Sequence, residues 1–293
     1  MLNDTVVLIT GASSGIGAAL AQVLAREQAN LVIAARRLDR LTALAEQIRN
    51  AAGVRVIPVQ CDVTSRTQAT GLVARAMEEF GRLDILVNNA GRGHLGAVED
   101  TTDDVLEQMF ALNVFPLWYT SRPALRQMKK QGRGHIINIA SMAGKLGYPF
   151  NSAYVAAKHA CVGFTHALRQ ELTGTDIHAT VVCPAGVLTD WASSTEGGPM
   201  LPFFMASGPI IRRIAAERHL TLPDIEGVQT PELVAEAILA GIYHPVPEIY
   251  THRGSRELVL LAARDPEAAE RQRLAIALGE REAYEANAGT SQD

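Results

Sequence analysis

The sequence is poor in cysteine and carries no excess of either charge. Its 293 residues include three cysteines, Cys61, Cys161 and Cys183, which are far apart and form no CxxC pair. We expect these three to be free thiols that pack as small apolar side chains. The eight histidines form no HExxH motif and no Cys/His cluster, so the pattern predicts no metal site. The 27 basic and 31 acidic side chains nearly balance, which disfavours nucleic acid and anionic membranes as partners.

Long apolar runs are also missing from the sequence. No stretch approaches the roughly 18 to 20 apolar residues that a membrane helix needs. The first four residues include an acid and lead directly into a predicted strand, which is unlike a signal peptide. We therefore expect a cytoplasmic location and no membrane partner.

Short apolar runs alternate with stretches of helical period along the chain. The runs predicted as strands are 5–10, 30–35, 54–60, 83–88, 135–140 and 177–183, with a seventh at 248–250. Helical spacing predicts helices at 15–28, 38–51, 65–80, 103–131 and 152–173. Strands that are apolar nearly throughout are typical of a parallel sheet covered on both faces. The pattern therefore predicts a doubly wound α/β fold in a single domain.

The pattern changes after the sixth predicted strand. Residues 190–225 are rich in Gly, Pro and apolar side chains, and they predict a lid over a ligand site. A helix is predicted at 232–243, and the charged tail has a helical bias over 256–287. We expect a catalytic unit over 1–252, which includes the lid, and a helical extension over 253–293.

A glycine-rich turn joins the first strand to the first helix. It contains Gly11, Ser13, Ser14, Gly15, Ile16 and Gly17. Such a turn aims backbone N–H groups and the positive end of a helix dipole at one point, where a pyrophosphate can bind. The strand before it and the helix after it favour a dinucleotide site over a purely structural turn.

This turn and four later motifs resemble the short-chain dehydrogenase/reductase family. The later motifs are Asp62-Val63, Asn89-Ala90-Gly91 after Asn88, Ser141, and Tyr154-x-x-x-Lys158. The resemblance covers roughly residues 5–250 and implies a Rossmann-type sheet of about seven strands. It also implies that Asp62 and Val63 contact the adenine of a dinucleotide and that Asn89, Ala90 and Gly91 border the adenosine and the ribose.

The end of the second predicted strand favours NADP(H) over NAD(H). Ala35 stands where an acidic residue would hold the 2′-hydroxyl of NAD, and Arg36 and Arg37 follow it. Guanidinium groups pair with phosphate oxygens through strong, charge-assisted hydrogen bonds. The alternative is that these arginines only solvate the start of the next helix, although cations oppose the helix dipole there.

Tyr154 and Lys158 are the candidate acid–base pair. They lie four residues apart in a predicted helix and hence on one face of it. A phenol with a pKa near 10 is a usable acid at neutral pH, and a nearby ammonium lowers that pKa. We expect Tyr154 to protonate a carbonyl oxygen in reduction and to deprotonate an alcohol in oxidation. The resemblance implies that Ser141 holds the substrate oxygen and that Lys158 also binds the nicotinamide ribose.

Asn113 and the segment from Pro184 to Thr189 complete the implied site. By resemblance, the backbone carbonyl of Asn113 holds a water that connects Lys158 to solvent, and Pro116 predicts a kink in the helix nearby. Asn113 could instead be an ordinary polar helix residue. The resemblance also implies that Pro184, Val187 and Thr189 contact the nicotinamide carboxamide, although Ala185 replaces the family's glycine.

Apolar residues are expected to form the substrate pocket. They are Leu146, Tyr148, Pro149 and Phe150 before Tyr154, and Trp191, Met200, Leu201, Phe203, Phe204 and Met205 in the lid, with Lys145 and Gly147 beside them. Such a lining suits a hydrophobic ketone or secondary alcohol, although the lid could instead pack against the protein or a neighbouring subunit. Two other functions stay open, a 3-oxoacyl-thioester reductase and a non-catalytic NADP(H) sensor. The resemblance further implies a homodimer or homotetramer formed through the helices at 103–131 and 152–173.

Overall fold

A parallel sheet of seven strands forms the centre of the computed structural model, which describes residues 1–191, 195–198 and 200–289. The strands are β1 (Val6–Thr10), β2 (Asn30–Ala35), β3 (Val56–Gln60), β4 (Ile85–Asn88), β5 (Arg133–Ile139), β6 (Asp176–Cys183) and β7 (Glu248–Tyr250). They lie in the order β3-β2-β1-β4-β5-β6-β7, and every neighbouring pair is parallel. The predicted doubly wound Rossmann-type fold is confirmed.

Helices cover both faces of this sheet. They are α1 (Gly15–Arg26), α2 (Leu38–Ala52), α3 (Arg66–Phe80), α4 (Asp103–Asn113), α5 (Phe115–Gln131), α6 (Ser152–Glu171), α7 (Met200–Glu217), α8 (Pro231–Tyr243), α9 (Ser255–Arg264) and α10 (Pro266–Gly289). Side chains alternate between the two faces along each strand. Thus Val7 and Ile9 pack with α1, α2 and α8, whereas Val6 and Leu8 pack with α3, α5 and α6.

The single helix predicted over 103–131 is divided into α4 and α5. The break lies at Val114, which ends α4 and precedes Pro116 in the first turn of α5. Pro116 has no N–H to donate to the preceding turn, and the N–H of Leu117 bonds to the Val114 carbonyl at 3.1 Å rather than to that of Asn113. The predicted kink near Asn113 is therefore confirmed.

Part of the expected lid folds as helix α7. Pro202 lies in its first turn, where a missing N–H has little consequence, but Pro209 lies inside it. The helix persists because its apolar face is buried: Ile214 and Ala215 pack with Ala275 and Leu278 of α10. The sequence signals for breaks are outweighed here by this packing, which involves residues more than 60 positions apart.

Three further findings concern membrane-spanning helices, metal sites and cysteines. No helix within the described ranges is long and apolar enough to cross a membrane. Among the residues that the structure describes, no three His, Cys, Asp or Glu side chains are grouped so that they could bind a metal ion. Cys61, Cys161 and Cys183 are free and buried.

The sheet order reverses direction between β1 and β4. From β1 the chain continues outward through β2 to β3, and then returns to β4 on the other side of β1. In open α/β sheets, ligands bind in the crevice beyond the carboxyl ends of strands at such a switch point. The ends of β1 and β4 are therefore the expected centre of the functional site.

Candidate active site

The glycine turn lies at the end of β1 and leads into α1. Gly11 and Gly15 have positive φ angles of 66° and 56°, a conformation that other residues rarely adopt. At Gly17 a Cβ atom would lie 2.5 Å from Nδ2 of Asn89 and 2.7 Å from the Gly11 carbonyl, so only glycine fits there. The turn therefore brings the backbone at the start of α1 close to any ligand above the sheet edge.

Asn89 ties the end of β4 to this turn. Its Nδ2 donates to the carbonyls of Thr10 and Gly11 at 3.0 and 3.1 Å, and its N–H donates to the Thr10 hydroxyl at 3.0 Å. The N–H of Ala90 bonds to the same hydroxyl at 3.2 Å. Asn89 and Ala90, both predicted as cofactor contacts, are thus placed beside the glycine turn by hydrogen bonds of the fold itself.

Of the two predicted arginines, Arg37 lies at the glycine turn. Its guanidinium donates to the Ser13 hydroxyl at 3.0 and 3.2 Å and to the Ser14 hydroxyl at 2.8 Å. It also lies 3.6 Å from the carboxylate of Asp190. The Arg36 side chain is exposed, and the Arg36 carbonyl accepts a bond from Gln60.

Asp62 and Val63 follow β3 at the same edge of the sheet. One carboxylate oxygen of Asp62 accepts from the N–H and the hydroxyl of Thr64 at 2.9 and 2.8 Å, which shapes the turn before α3. The Val63 side chain is buried. Both residues are therefore close to where the sequence predicts an adenine contact, and the Asp62 carboxylate has a structural role in addition.

Ser141, Tyr154 and Lys158 are brought together beyond the end of β5. Ser141 caps a short 3₁₀ helix, Met142–Gly144, by accepting from the Ala143 N–H at 3.1 Å, and its hydroxyl hydrogen-bonds the Tyr154 phenol. Tyr154 and Lys158 lie one turn apart on α6, and the Lys158 ammonium is 5.7 Å from the centre of the Tyr154 ring. Both side chains are buried.

Burial controls the acid–base properties of this pair. Within the polypeptide, burial raises the pKa of the Tyr154 phenol, while the Ser141 hydrogen bond opposes that rise. The expected lowering by Lys158 is not found, because the ammonium is directed to the Ile139 carbonyl at 2.9 Å. Burial also lowers the pKa of the Lys158 ammonium. Tyr154 is therefore a neutral proton donor at physiological pH, as reduction requires.

Gly91 separates Lys158 from Asn113. A Cβ at Gly91 would lie 2.7 Å from Oδ1 of Asn113 and 3.3 Å from the Lys158 ammonium. The buried Asn113 amide donates to the carbonyls of Arg92 and Met109 and accepts from the Arg92 N–H. The side chain of Asn113 thus fixes the loop after β4, a role that its resemblance to a water-binding residue did not indicate.

The segment after β6 passes over the glycine turn. The methyl carbon of Thr189 lies 2.9 Å from where a Gly15 Cβ would be. The N–H groups of Ala185 and Leu188 donate to His252 and Gln229, and the Gly186 carbonyl accepts from Gln229. The backbone path is therefore well defined although Ala185 replaces the family's glycine. Pro184, Val187 and Thr189 are therefore brought to the site where the carboxamide contacts are predicted.

A buried chain of polar side chains, which the sequence reading missed, supports the centre of the site. Thr120 of α5 donates to Asn88 at 2.7 Å, Asn88 donates to Asn138 at 2.8 Å, and Asn138 donates to Thr165 of α6 at 2.9 Å. Each buried amide is satisfied, and the chain joins β4 and β5 to the helices on one face. Asparagines near the ends of two neighbouring apolar strands were the available signal.

Only some of the residues expected to line the substrate pocket lie close to one another. The Trp191 ring is 5.4 Å from the Tyr154 ring, and Trp191 belongs to an apolar cluster with Phe150, Met200 and Phe203. Phe204 and Met205 are exposed instead, although the Phe204 ring lies 5.8 Å from the ring of Phe203. The side chain of Leu201, also predicted as a wall residue, lies outside the described residues.

These residues fit a nicotinamide dinucleotide. The three glycines let Ala90, Asn89 and Thr189 approach the start of α1 closely. The Ser14 side chain forms no capping bond there and leaves the first N–H groups of the helix to a ligand. Beyond them, Ser141, Tyr154 and Lys158 lie near Gly91 at the same sheet edge. A pyrophosphate at the turn and a nicotinamide near Tyr154 would occupy adjoining parts of one crevice.

Comparison with known proteins identifies the family. The family model of short chain dehydrogenases matches residues 5–198. The chain is 32% identical over 252 residues to ketoacyl reductase HetN of a Nostoc species, covering 86% of this chain and 80% of HetN.

Solved structures agree with this match. A short chain dehydrogenase/reductase from Burkholderia phymatum in complex with NAD superposes with a TM-score of 0.78 at 29% identity, covering 91% of this chain and 95% of that one. A variant of actinorhodin polyketide ketoreductase with NADPH superposes with a TM-score of 0.71 at 31% identity, and the match covers 84% of this chain and 95% of that one. The chain belongs to the short-chain dehydrogenase/reductase family and is an oxidoreductase of that family.

Proposed function

We propose that this protein transfers a hydride between NADP(H) and a hydrophobic ketone or secondary alcohol. The observation that carries the proposal is the contact of Ser141 with Tyr154, beside Lys158 and at the sheet edge that holds the glycine turn. When bound, the reduced nicotinamide supplies the hydride that adds to the carbonyl carbon.

Tyr154 and Ser141 act on the carbonyl oxygen of the substrate. The Ser141 hydroxyl and the Tyr154 phenol donate hydrogen bonds to this oxygen, and the phenol proton passes to it as the C=O bond becomes C–OH. The transfer leaves Tyr154 as a phenolate, and Lys158, whose ammonium is directed to the Ile139 carbonyl, orients the nicotinamide ribose. In the oxidative direction the same phenolate removes the alcohol proton.

The preference for NADP(H) rests on charge at the adenosine end. Ala35 offers no carboxylate to a 2′-hydroxyl, and Arg37 brings a cation to Ser13 and Ser14. The two solved relatives described above contain NAD in one case and NADPH in the other, so this preference is argued from these side chains alone.

A second candidate substrate is a 3-oxoacyl thioester. HetN, which is similar over most of the chain, is named a ketoacyl reductase, as is the putative ketoacyl reductase of Streptomyces coelicolor at 38% identity. Acetoacetyl-coenzyme A therefore belongs in the panel of substrates to be tested.

Three further expectations stay predictions. They are the cytoplasmic location, the boundary between a catalytic unit over 1–252 and a helical extension over 253–293, and the oligomer.

The decisive experiment uses the variant Tyr154→Phe and makes two measurements. The decrease in NADPH absorbance reports turnover of ketones, and a titration reports the affinity for NADPH. We expect turnover of ketones to fall by about 10²–10⁴-fold, because the proton donor is removed, while NADPH affinity changes little. Tyr243→Phe, on α8 and bonded to Glu27, is the matched control and should keep full activity.

Two outcomes would contradict the proposal. Full turnover by Tyr154→Phe would remove Tyr154 from its assigned role. Wild-type protein that binds NADPH but oxidises it with no member of the panel would favour the sensor function over an enzyme.

A further inference from the structure

Helix α10 packs closely along α7, on the outer side of the candidate site. At Gly279 a Cβ atom would lie 2.5 Å from the side chain of Ile211 and 2.9 Å from its nitrogen, so the two helices touch at their backbones. Residues 266–289 lie beyond the part of the chain that the family model matches. Their contacts are thus a feature of this chain that the family match does not explain.

The first half of α10 holds one end of the segment 147–150, which we call the substrate loop. Arg273 donates to the Gly147 carbonyl at 2.6 Å, and its guanidinium lies 4.8 Å from the centre of the Tyr148 ring. Two turns along the helix from Arg273, Glu280 is 5% exposed and its charge acts on the Tyr148 phenol. The carboxylate of Glu280 has no hydrogen bond or ion pair with any residue that the structure describes.

The second half of α10 holds the other end of the substrate loop. The Tyr284 ring stacks on Phe150, with 3.9 Å between ring centres and 5° between planes, and its hydroxyl accepts from the Ala97 N–H at 3.1 Å. The neighbouring Gly96 N–H donates to the Phe150 carbonyl at 2.8 Å. Phe150 has a positive φ of 58°, which is unfavourable for a side chain of this size and needs such support.

These contacts continue to the catalytic tyrosine. Tyr284 and Ala283 belong to the apolar cluster of Leu95, Phe150 and Trp191, and the Trp191 ring lies against Tyr154. A substrate whose carbonyl oxygen meets Tyr154 would place its carbon skeleton near this cluster. Helix α10 therefore borders the position of the substrate skeleton as well as both ends of the substrate loop.

We propose that α10 forms a wall of the substrate pocket, in which Tyr284 favours ring-bearing ketones and alcohols and Glu280 disfavours substrates with a carboxylate. This inference rests on the proposed function. Tyr284 fixes the aromatic surface of Phe150 against which a ring can stack. Above about pH 7, where its carboxyl is ionised, Glu280 adds a negative charge to a dry region, where repulsion of a second carboxylate is weakly screened.

The first test uses Tyr284→Ala, Tyr284→Phe and the matched control Tyr243→Ala. For 4-phenyl-2-butanone we expect kcat/KM to fall about tenfold in Tyr284→Ala, chiefly through KM, and to stay within about threefold in the other two. For 2-butanone, which lacks a ring, all three variants should stay within about threefold of wild type. An equal loss for both ketones in Tyr284→Ala would overturn the role of Tyr284 in selection.

The second test uses Glu280→Gln with levulinate and its uncharged methyl ester at pH 8. We expect the ratio of kcat/KM for levulinate to that for the ester to rise about tenfold, because the repelling charge is removed. Glu285→Gln, at an exposed position of the same helix, should leave the ratio unchanged. An unchanged ratio in Glu280→Gln would overturn the role of Glu280.

A third measurement does not depend on turnover. Hydrogen exchange of the peptide covering 145–152 should be faster in Tyr284→Ala than in wild type, and unchanged in Tyr243→Ala. If wild type reduced no ketone but exchange was still faster in Tyr284→Ala than in wild type, the proposed function would be contradicted. The contact of α10 with the substrate loop would nevertheless be supported. Unchanged exchange would overturn the wall itself, whatever the activity.

Discussion

Arg37 is the single residue whose position most affects the choice of cofactor. Both arginines lie between β2 and α2, but Arg37 directly precedes α2, and its side chain is directed to the glycine turn whereas that of Arg36 is exposed. From sequence alone the two could not be separated, because a side chain's direction at the end of a strand depends on the backbone of the turn. Under the proposed preference for NADP(H), we therefore expect Arg37 rather than Arg36 to contact the 2′-phosphate.

The corresponding prediction concerns Arg37→Ala. We expect kcat/KM for NADPH to fall about 10- to 100-fold while that for NADH stays within about threefold, because a charge-assisted phosphate contact is lost. Arg26→Ala, at the far end of α1, is the control and should affect neither cofactor. Equal losses for both cofactors, or a larger NADPH effect from Arg36→Ala, would contradict the assignment.

Glu280 makes stability depend on pH. Burial raises the pKa of its carboxyl from 4.5 to about 7, with a smaller opposing effect of Arg273. The folded protein therefore retains a proton that the unfolded chain releases, so this contribution to stability is complete below about pH 4.5 and is lost as the pH rises through 7.

We predict that Glu280→Gln stabilises the protein at pH 8 by about 1–3 kcal/mol and by much less at pH 5. At pH 5 the native carboxyl is already neutral and resembles the amide. Urea unfolding at the two pH values measures the difference, with Glu285→Gln as the exposed control. A gain in stability that is the same at both pH values would be evidence against a buried carboxyl with a raised pKa.

At the scale of elements, His252 holds the segment that follows β6. Its Nδ1 accepts from the Ala185 N–H at 3.2 Å, and its Nε2 lies 2.9 Å from the Gly186 carbonyl, which assigns the proton to Nε2. The Gly186 carbonyl also accepts from the Gln229 N–H, and Leu188 donates to the Gln229 carbonyl. The segment predicted to meet the carboxamide thus depends on two residues that come much later in the chain.

His252→Ala should therefore weaken cofactor use without removing a catalytic group. We expect KM for NADPH to rise about tenfold and kcat to fall less than about threefold, because two hydrogen bonds of the segment are lost. His252→Asn, which retains one donor and one acceptor, should recover part of the loss. The exposed His244→Ala is the control, and a fall in kcat at unchanged KM would contradict a positioning role.

The elements that could be predicted are those with a strong local pattern. The seven apolar runs all appear as strands, and Pro116 alone indicated the break between α4 and α5. Helix α7 was not predicted, because Gly208 and Pro209 are local breakers whereas the stabilising contacts come from α10. Periodicity reports on neighbours in sequence, and these two helices meet only through tertiary packing.

At the scale of the whole molecule, the candidate site followed from chain order. Parallel strands place their carboxyl ends at one edge, so Gly11, Asn89 and Ser141 had to be close once the sheet was predicted. The contact of His252 with Ala185 fits the same rule, because each residue lies two positions beyond the end of one of the paired strands β7 and β6. The contact of Tyr284 with Phe150 could not be predicted in this way, because Tyr284 belongs to a helix that follows no strand end.

The surface of α4 and α5 carries apolar side chains without cover. Leu106, Phe115 and Trp118 are 42%, 47% and 37% exposed, and the Trp118 ring contacts Phe164 of α6 at 4.5 Å. Apolar clusters of this kind mark interaction surfaces in many proteins. All three lie within 103–131, one of the two helical segments through which the family resemblance implies an oligomer.

We predict that wild type forms the implied oligomer and that Phe115→Glu is a monomer. A buried charge on a symmetric interface occurs in both copies and opposes association, whereas in a monomer the same change lies in water. Light scattering coupled to size exclusion should give the mass of a dimer or tetramer for wild type and about 31.5 kDa for the variant. Leu260→Glu, at an exposed apolar position on α9, is the control and should keep the wild-type mass. A wild-type protein that is already monomeric at micromolar concentration would remove the prediction, since α4 and α5 would then face solvent in the working enzyme.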